Sequence, residues 1–136
     1  MSADKQAQEY IAYAVYEDGT TQAMEFEETH EIVPFLMDSK YGNIKTMQLK
    51  NDELAGLYIG WFDSIGKSKG RAYNEIGSWF AGLPIYGRLL IWRCFENKAM
   101  AVKRNDIIYL DSLAAKRRDI MKKRRRPLTT KRRAGR

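Results

Sequence analysis

The sequence has one cysteine, one histidine and three prolines. The lone thiol, Cys94, allows no internal disulfide and excludes a cysteine-rich zinc site. His30 is too far along the chain from Cys94 to suggest a nucleophile–base pair, and no second nitrogen ligand stands beside it for a transition metal. Cys94 sits in an apolar run and reads as an inert core thiol; His30 reads as an exposed residue at a helix start. Long apolar runs are missing too: nothing approaches the ~20 residues a membrane-crossing helix needs. Residues Met1 to Gln6 lack the apolar stretch of a secretory signal. The expectation is an intracellular protein, cytoplasmic or, in a eukaryotic host, nuclear.

Acids are scarce in one place. From Lys116 to Arg136 there is one, Asp119, against twelve Lys or Arg, so this stretch carries +11. Residues 1–115 hold the other twelve bases and sixteen acids, a balance of −4, and the net +7 of the whole chain conceals the contrast. A mildly acidic body joined to a cationic arm points to a polyanionic partner more strongly than evenly spread charge would.

What is present is an ordinary folding composition, 44% hydrophobic and 30% charged, and the pattern predicts an α+β body over 1–115 followed by the basic arm over 116–136. Tyr10–Tyr16 and Thr20–Glu27 flank Asp18-Gly19, the signal of a two-residue β-hairpin. Thr29 is placed to cap a short helix through Ile32–Met37, with Pro34 confined to its first turn. Asn43–Leu49 alternates as a strand. Leu54, Leu57, Tyr58, Trp61, Phe62 and Ile65 recur at helical spacing, predicting a helix over Asp52–Ile65 capped by Asn51 or Asp52. A flexible Gly-rich loop (66–71) leads to a short helix over Ala72–Phe80. Arg88–Phe95 is a buried strand, and Asn97-Lys98 turns the chain into Ala99–Lys103. A last helix, capped by Asp106, presents Ile107, Ile108, Leu110, Leu113 and Ala114. It runs into the arm until Pro127 stops it, and a disordered tail over Leu128–Arg136 follows.

The arm carries Lys116, Arg117, Arg118, Lys122, Lys123, Arg124, Arg125, Arg126, Lys131, Arg132, Arg133 and Arg136. On a helix these bases surround the whole circumference, so the segment repels itself in water and orders when phosphates neutralise it. Arginine outnumbers lysine eight to four here, and guanidinium suits bidentate phosphate contact and stacking on exposed bases. Three other uses compete: folding back on the acidic run Glu17, Asp18, Glu25, Glu27, Glu28 and Glu31, a nuclear import signal in Lys122–Pro127, or contact with anionic lipid. Within the body, Lys67, Lys69 and Arg71 extend the cationic set, on a loop whose glycines let backbone approach phosphate. Tyr58, Trp61, Phe62, Tyr73, Trp79 and Phe80 are candidates for base stacking, against the commoner use of such residues as core.

Two motifs fail. Gly60 and Gly66 before Lys67-Ser68 are separated by five residues where a phosphate-binding loop needs four. Leu57-Tyr58-Ile59-Gly60, with Arg71 and Glu75, resembles a fragment of the GIY-YIG endonucleases over three consecutive residues. No Gly-Ile-Tyr segment precedes it, and the triplet falls in a helical pattern where that family has a strand, so membership is not implied. The sequence therefore predicts a non-catalytic nucleic-acid-binding accessory protein, of the basic-tailed sort frequent in phages, viruses and ribonucleoprotein particles. It needs no cofactor or metal, and the arm grips phosphates largely independently of sequence. The other readings are an adaptor or inhibitor that docks on a protein, using the arm as an address or against an acidic surface, and a small carboxylate-dependent nuclease.

Overall fold

A hairpin opens the fold. Strands β1 (Tyr10–Val15) and β2 (Thr21–Phe26) pair antiparallel, from Val15 opposite Thr21 to Tyr10 opposite Phe26. The computed structural model describes residues 10–37, 42–54 and 56–134, with side chains as far as Lys123 except those of Tyr10 and Thr29. The hairpin turn is longer than Asp18-Gly19 predicts. The Tyr16 N–H donates to the Thr20 carbonyl at 2.9 Å and the Gly19 N–H to the Tyr16 carbonyl at 3.0 Å. Gly19 alone takes positive φ, +91°, so Glu17-Asp18-Gly19 form a three-residue loop ending in a left-handed glycine. The Thr20 hydroxyl and amide donate to the Asp18 carboxylate and hold it below the usual range.

Four more strands follow: β3 (Ile44–Gln48), β4 (Tyr58–Asp63), β5 (Leu89–Phe95) and β6 (Lys98–Met100). The sheet is antiparallel in the order β2-β1-β5-β4-β3. β6 adds to the far half of β5, on the side where β1 pairs its near half. A 3-10 turn at Thr29–Glu31 leads into α1 (Ile32–Met37), α2 is Glu75–Ala81, and α3 is Arg104–Ala134. The architecture is α+β, as the sequence predicts. Among the described residues no helix is long and apolar enough to cross a membrane.

β4 overturns the helix expected over Asp52–Ile65. It lies between β3 and β5 with both faces covered, so Tyr58, Phe62 and Gly60 point one way and Ile59 and Trp61 the other, all of them apolar. A strand buried on both sides has no polar alternation, and its run then satisfies helical spacing by accident. Asn51 makes a local turn, its side chain accepting from the Glu53 N–H at 2.9 Å. The Tyr-Ile-Gly triplet thus does lie in a strand. The missing Gly-Ile-Tyr partner still separates it from the endonucleases.

The strand alternation sorts the core into two layers. Tyr13, Val15, Leu89, Ile91, Tyr58 and Phe62 face α2 and α3, meeting Ile76, Phe80, Leu110, Leu113 and Ala114. Ala12, Ala14, Leu90 and Trp92 face the other way, towards Ile32 and Leu36 of α1. Asn74, fully buried, caps α2: its carbonyl oxygen accepts from the Gly77 N–H at 2.8 Å. Its amide donates to the Val15 and Gly87 carbonyls at 2.9 and 2.8 Å, pinning the helix to β1. Gly77 is needed there, since a Cβ would come within 2.7 Å of the Asn74 side chain. The excursion carrying α2 is closed at its base by the Tyr73–Tyr86 bridge and by the Asn74 N–H to the Ile85 carbonyl at 2.8 Å.

Three local expectations are corrected. Asp106 is the third residue of α3, not its cap, and reaches back to the Lys103 N–H at 2.8 Å, which serves the same unpaired donors. The β5–β6 turn is Glu96-Asn97, one residue early, with φ of 52° and 65°. Cys94 is half-buried near Gln48 Nε2 at 3.8 Å, because β5 comes to the surface at that end. The backbone of α3 runs to Ala134, with described side chains as far as Lys123. Of the expected tail, Gly135 and Arg136 lie outside the described residues.

Candidate nucleic-acid interface

The root of the arm is seated on the body. α3 is continuous across residues 115 and 116, and Met121 still packs on the core formed by α2 and the sheet. Arg118 Nη1 donates to the Gly19 carbonyl at 2.7 Å, tying the arm to the hairpin turn. The Arg117 guanidinium lies over the Trp79 ring, 5.7 Å from its centroid. Its Nε is buried with no acceptor among the described residues, so stacking holds it in place. Lys116, Lys122 and Lys123 are exposed; Lys123 is 3.3 Å from Asp119 one turn back, a surface pair worth a few tenths of a kcal/mol. Arg124, Arg125, Arg126, Lys131, Arg132 and Arg133 follow on the helical backbone, but their side chains, like Arg136, are outside the described residues.

The loop cations divide. Lys69 Nζ stands 2.6 Å from Asp63 Oδ2 and donates to the Met37 carbonyl at 2.9 Å. Arg71 Nη2 meets Glu17 Oε2 at 2.8 Å, and its Nη1 reaches the Leu36 and Met37 carbonyls at 3.3 and 3.4 Å. Both side chains are turned inward to satisfy the end of α1, away from any partner. Lys67 alone of the three is exposed, its ammonium 5.6 Å above the Tyr86 ring. The loop is a turn pinned by these pairs. Burial would raise the Asp63 carboxyl, but Lys69 and the Asn43 and Ile65 amides outweigh it and hold the group below its ordinary value.

The aromatic set divides as well. Tyr58, Phe62 and Phe80 are buried, and Trp61 lies 5.0 Å from Trp92 on the far face. Tyr73 is 48% exposed and Trp79 half-buried. No helical or strand periodicity singles these two out; only the Tyr73–Tyr86 bridge, which closes the α2 excursion, brings Tyr73 to the surface. The acidic run engages itself and the body: Glu17 holds Arg71, Glu31 accepts from the Glu27 N–H at 2.9 Å, and exposed His30 pairs with Glu28 at 3.1 Å. Among the described side chains none of these acids pairs with the arm.

A separate groove of about 880 Å³ lies where β6 meets α3. Phe95, Met100 and Ile108 line it, 60%, 44% and 58% exposed. Arg93, Lys103 and Arg104 line it as well. Among the described residues no cluster of His, Cys, Asp and Glu is arranged to hold a metal ion. Scans against protein-family models, curated proteins and solved structures find no match to this chain.

Proposed function

We propose that the protein binds nucleic acid without chemistry, through the basic face of α3, and acts as an accessory protein to it. The observation that carries this reading is the helix itself. One continuous element is clamped to the body by Leu110, Leu113, Arg118 and Met121 and then leads into a segment, 122–136, bearing nine bases and no acid. Anchoring the root lowers the ordering cost that a free cationic tail would meet at binding.

Because Met121 packs against the core, cutting the chain at 115 would damage the body as well as the arm. Point substitutions are the cleaner test. With about six to eight phosphates engaged on a duplex, log K should fall against log salt with a slope near −5 to −7. Lys116→Gln, Lys122→Gln and Lys123→Gln together should lower affinity at low salt and flatten the slope by about 3, with the thermal melt little changed. A slope unchanged by the triple variant would remove these residues from the interface; no binding by the full chain would overturn the reading.

The groove between β6 and α3 favours a second use, docking on a protein. Three large apolar side chains exposed together are unusual outside interaction sites. Ile108→Asp should then release a protein partner that resists nuclease and high salt, while leaving nucleic-acid affinity unchanged.

A further inference from the structure

The exposed cation of the 66–71 turn and the root of the arm are joined by aromatic rings. Lys67 stands over Tyr86, and Tyr86 meets Tyr73 edge to face, centroids 5.3 Å apart. Beside Tyr73 a hollow of about 400 Å³ opens, walled by Trp79, Leu83, Pro84 and Arg117. Arg117 covers Trp79, and beyond it a second hollow of about 270 Å³ is bounded by Lys116 and Ile120. The order along the surface is cation, ring, ring, hollow, ring, cation, hollow, cation, and it leads directly into the arm.

We infer that this track binds single-stranded nucleic acid, with an unpaired base seated in the hollow between Tyr73 and the Arg117–Trp79 stack. The inference rests on the reading of the arm as a nucleic-acid binder and gives it a substrate class. Three features favour a single strand. Half-exposed rings and a stacked guanidinium offer π-faces to bases, which a duplex keeps inside its own stack. The hollow is at the small end of ligand-pocket volumes, about 300–1,000 Å³, and admits a base but no double helix. Glu75 also lines it, and its negative charge disfavours a phosphate there. Phosphates fall instead to Lys67, Lys116 and Lys122 on either side.

The test uses the full chain with a fluorescent single-stranded 16-mer and the duplex of the same sequence. Tyr73→Ala should weaken single-strand binding roughly ten- to hundredfold, leave duplex binding within about twofold, and leave the salt slope unaltered because no charge is removed. Tyr73→Phe should restore affinity, which a merely structural loss would not require of a half-exposed ring. Saturating single strand should quench tryptophan emission, and Trp79→Phe should abolish the quench, since Trp61 and Trp92 lie on the other side of the sheet. If Tyr73→Ala binds single strands as tightly as the parent while the lysine variants weaken both forms, the track is overturned and the arm reading stands. If the parent binds neither form, both fall.

Discussion

Asp63 is 3% exposed yet ionised, because Lys69 and two backbone amides replace the water it lost. Removing one partner of such a pair leaves a buried charge uncompensated. Lys69→Met should therefore cost about 3 kcal/mol in urea unfolding, far more than the same change at exposed Lys67. The Asp63 carboxyl lies below its unfolded value in the folded state. Its contribution is thus present above about pH 4 and lost as pH falls through the depressed folded pKa, so the melting temperature should drop in acid. Asn74 offers a sharper case, since it accepts one hydrogen bond and donates two. Asn74→Ala should lose about 3 kcal/mol. Asn74→Asp keeps the cap but turns a carboxylate onto two carbonyls, which raises its folded pKa. Relative to the parent at the same pH, that variant should be most stable below about pH 4 and weaken as pH rises, as a pair of melts at acid and neutral pH would show.

At the scale of elements, two tyrosines staple α3 to the sheet. Tyr13 donates to Asp111 at 2.6 Å and Tyr58 to Asp106 at 2.8 Å, and burial, then the aspartates, push both phenols well above their ordinary value. A folded pKa raised above the unfolded one gives stability that is whole below about pH 10 and declines as pH climbs further. Tyr13→Phe with Tyr58→Phe should flatten the alkaline side of the stability curve. Neither staple was legible in the sequence, because each spans the fold. Elements whose signals are local were legible: the hairpin, β3, the short helix expected over Ala72–Phe80 and found as α2, and β5. β4 was not, since its two-sided burial is a property of its neighbours. The candidate site follows the same division. Arm charge is read directly from composition, but Lys67 differs from Lys69 and Arg71 only in what folding places beside it. Tyr73 and Trp79 likewise differ from Phe62 and Phe80 only by the surface they reach.

For the whole molecule, a body of −4 and an arm of +11 mean that charge alone does not couple binding to folding. The arm remains cationic when the body unfolds, so a simple polyanion such as heparin engages both states and should shift the melting temperature little. A single strand that also occupies the Tyr73–Trp79 hollow binds the folded state only, and should raise the melt by several degrees at low salt. Side-by-side melts with the two ligands measure the difference. The sheet order carries a further consequence, for the sequence of assembly. β1 and β4 have no common neighbour until β5 exists, and α3 closes over residues 98 and 99 positions earlier, Tyr13 to Asp111 and Gly19 to Arg118. Contacts this distant form late and place folding towards the slow end of the range for small domains, on the order of milliseconds to seconds. A chain emerging from its N-terminus holds the first hairpin, with its apolar row and open β2 edge, unpartnered until nearly all of the fold has been made. The arrival of β5 and α3 covers the apolar row, while β2 stays the edge strand of the finished sheet, so the hazard of aggregation is greatest during synthesis.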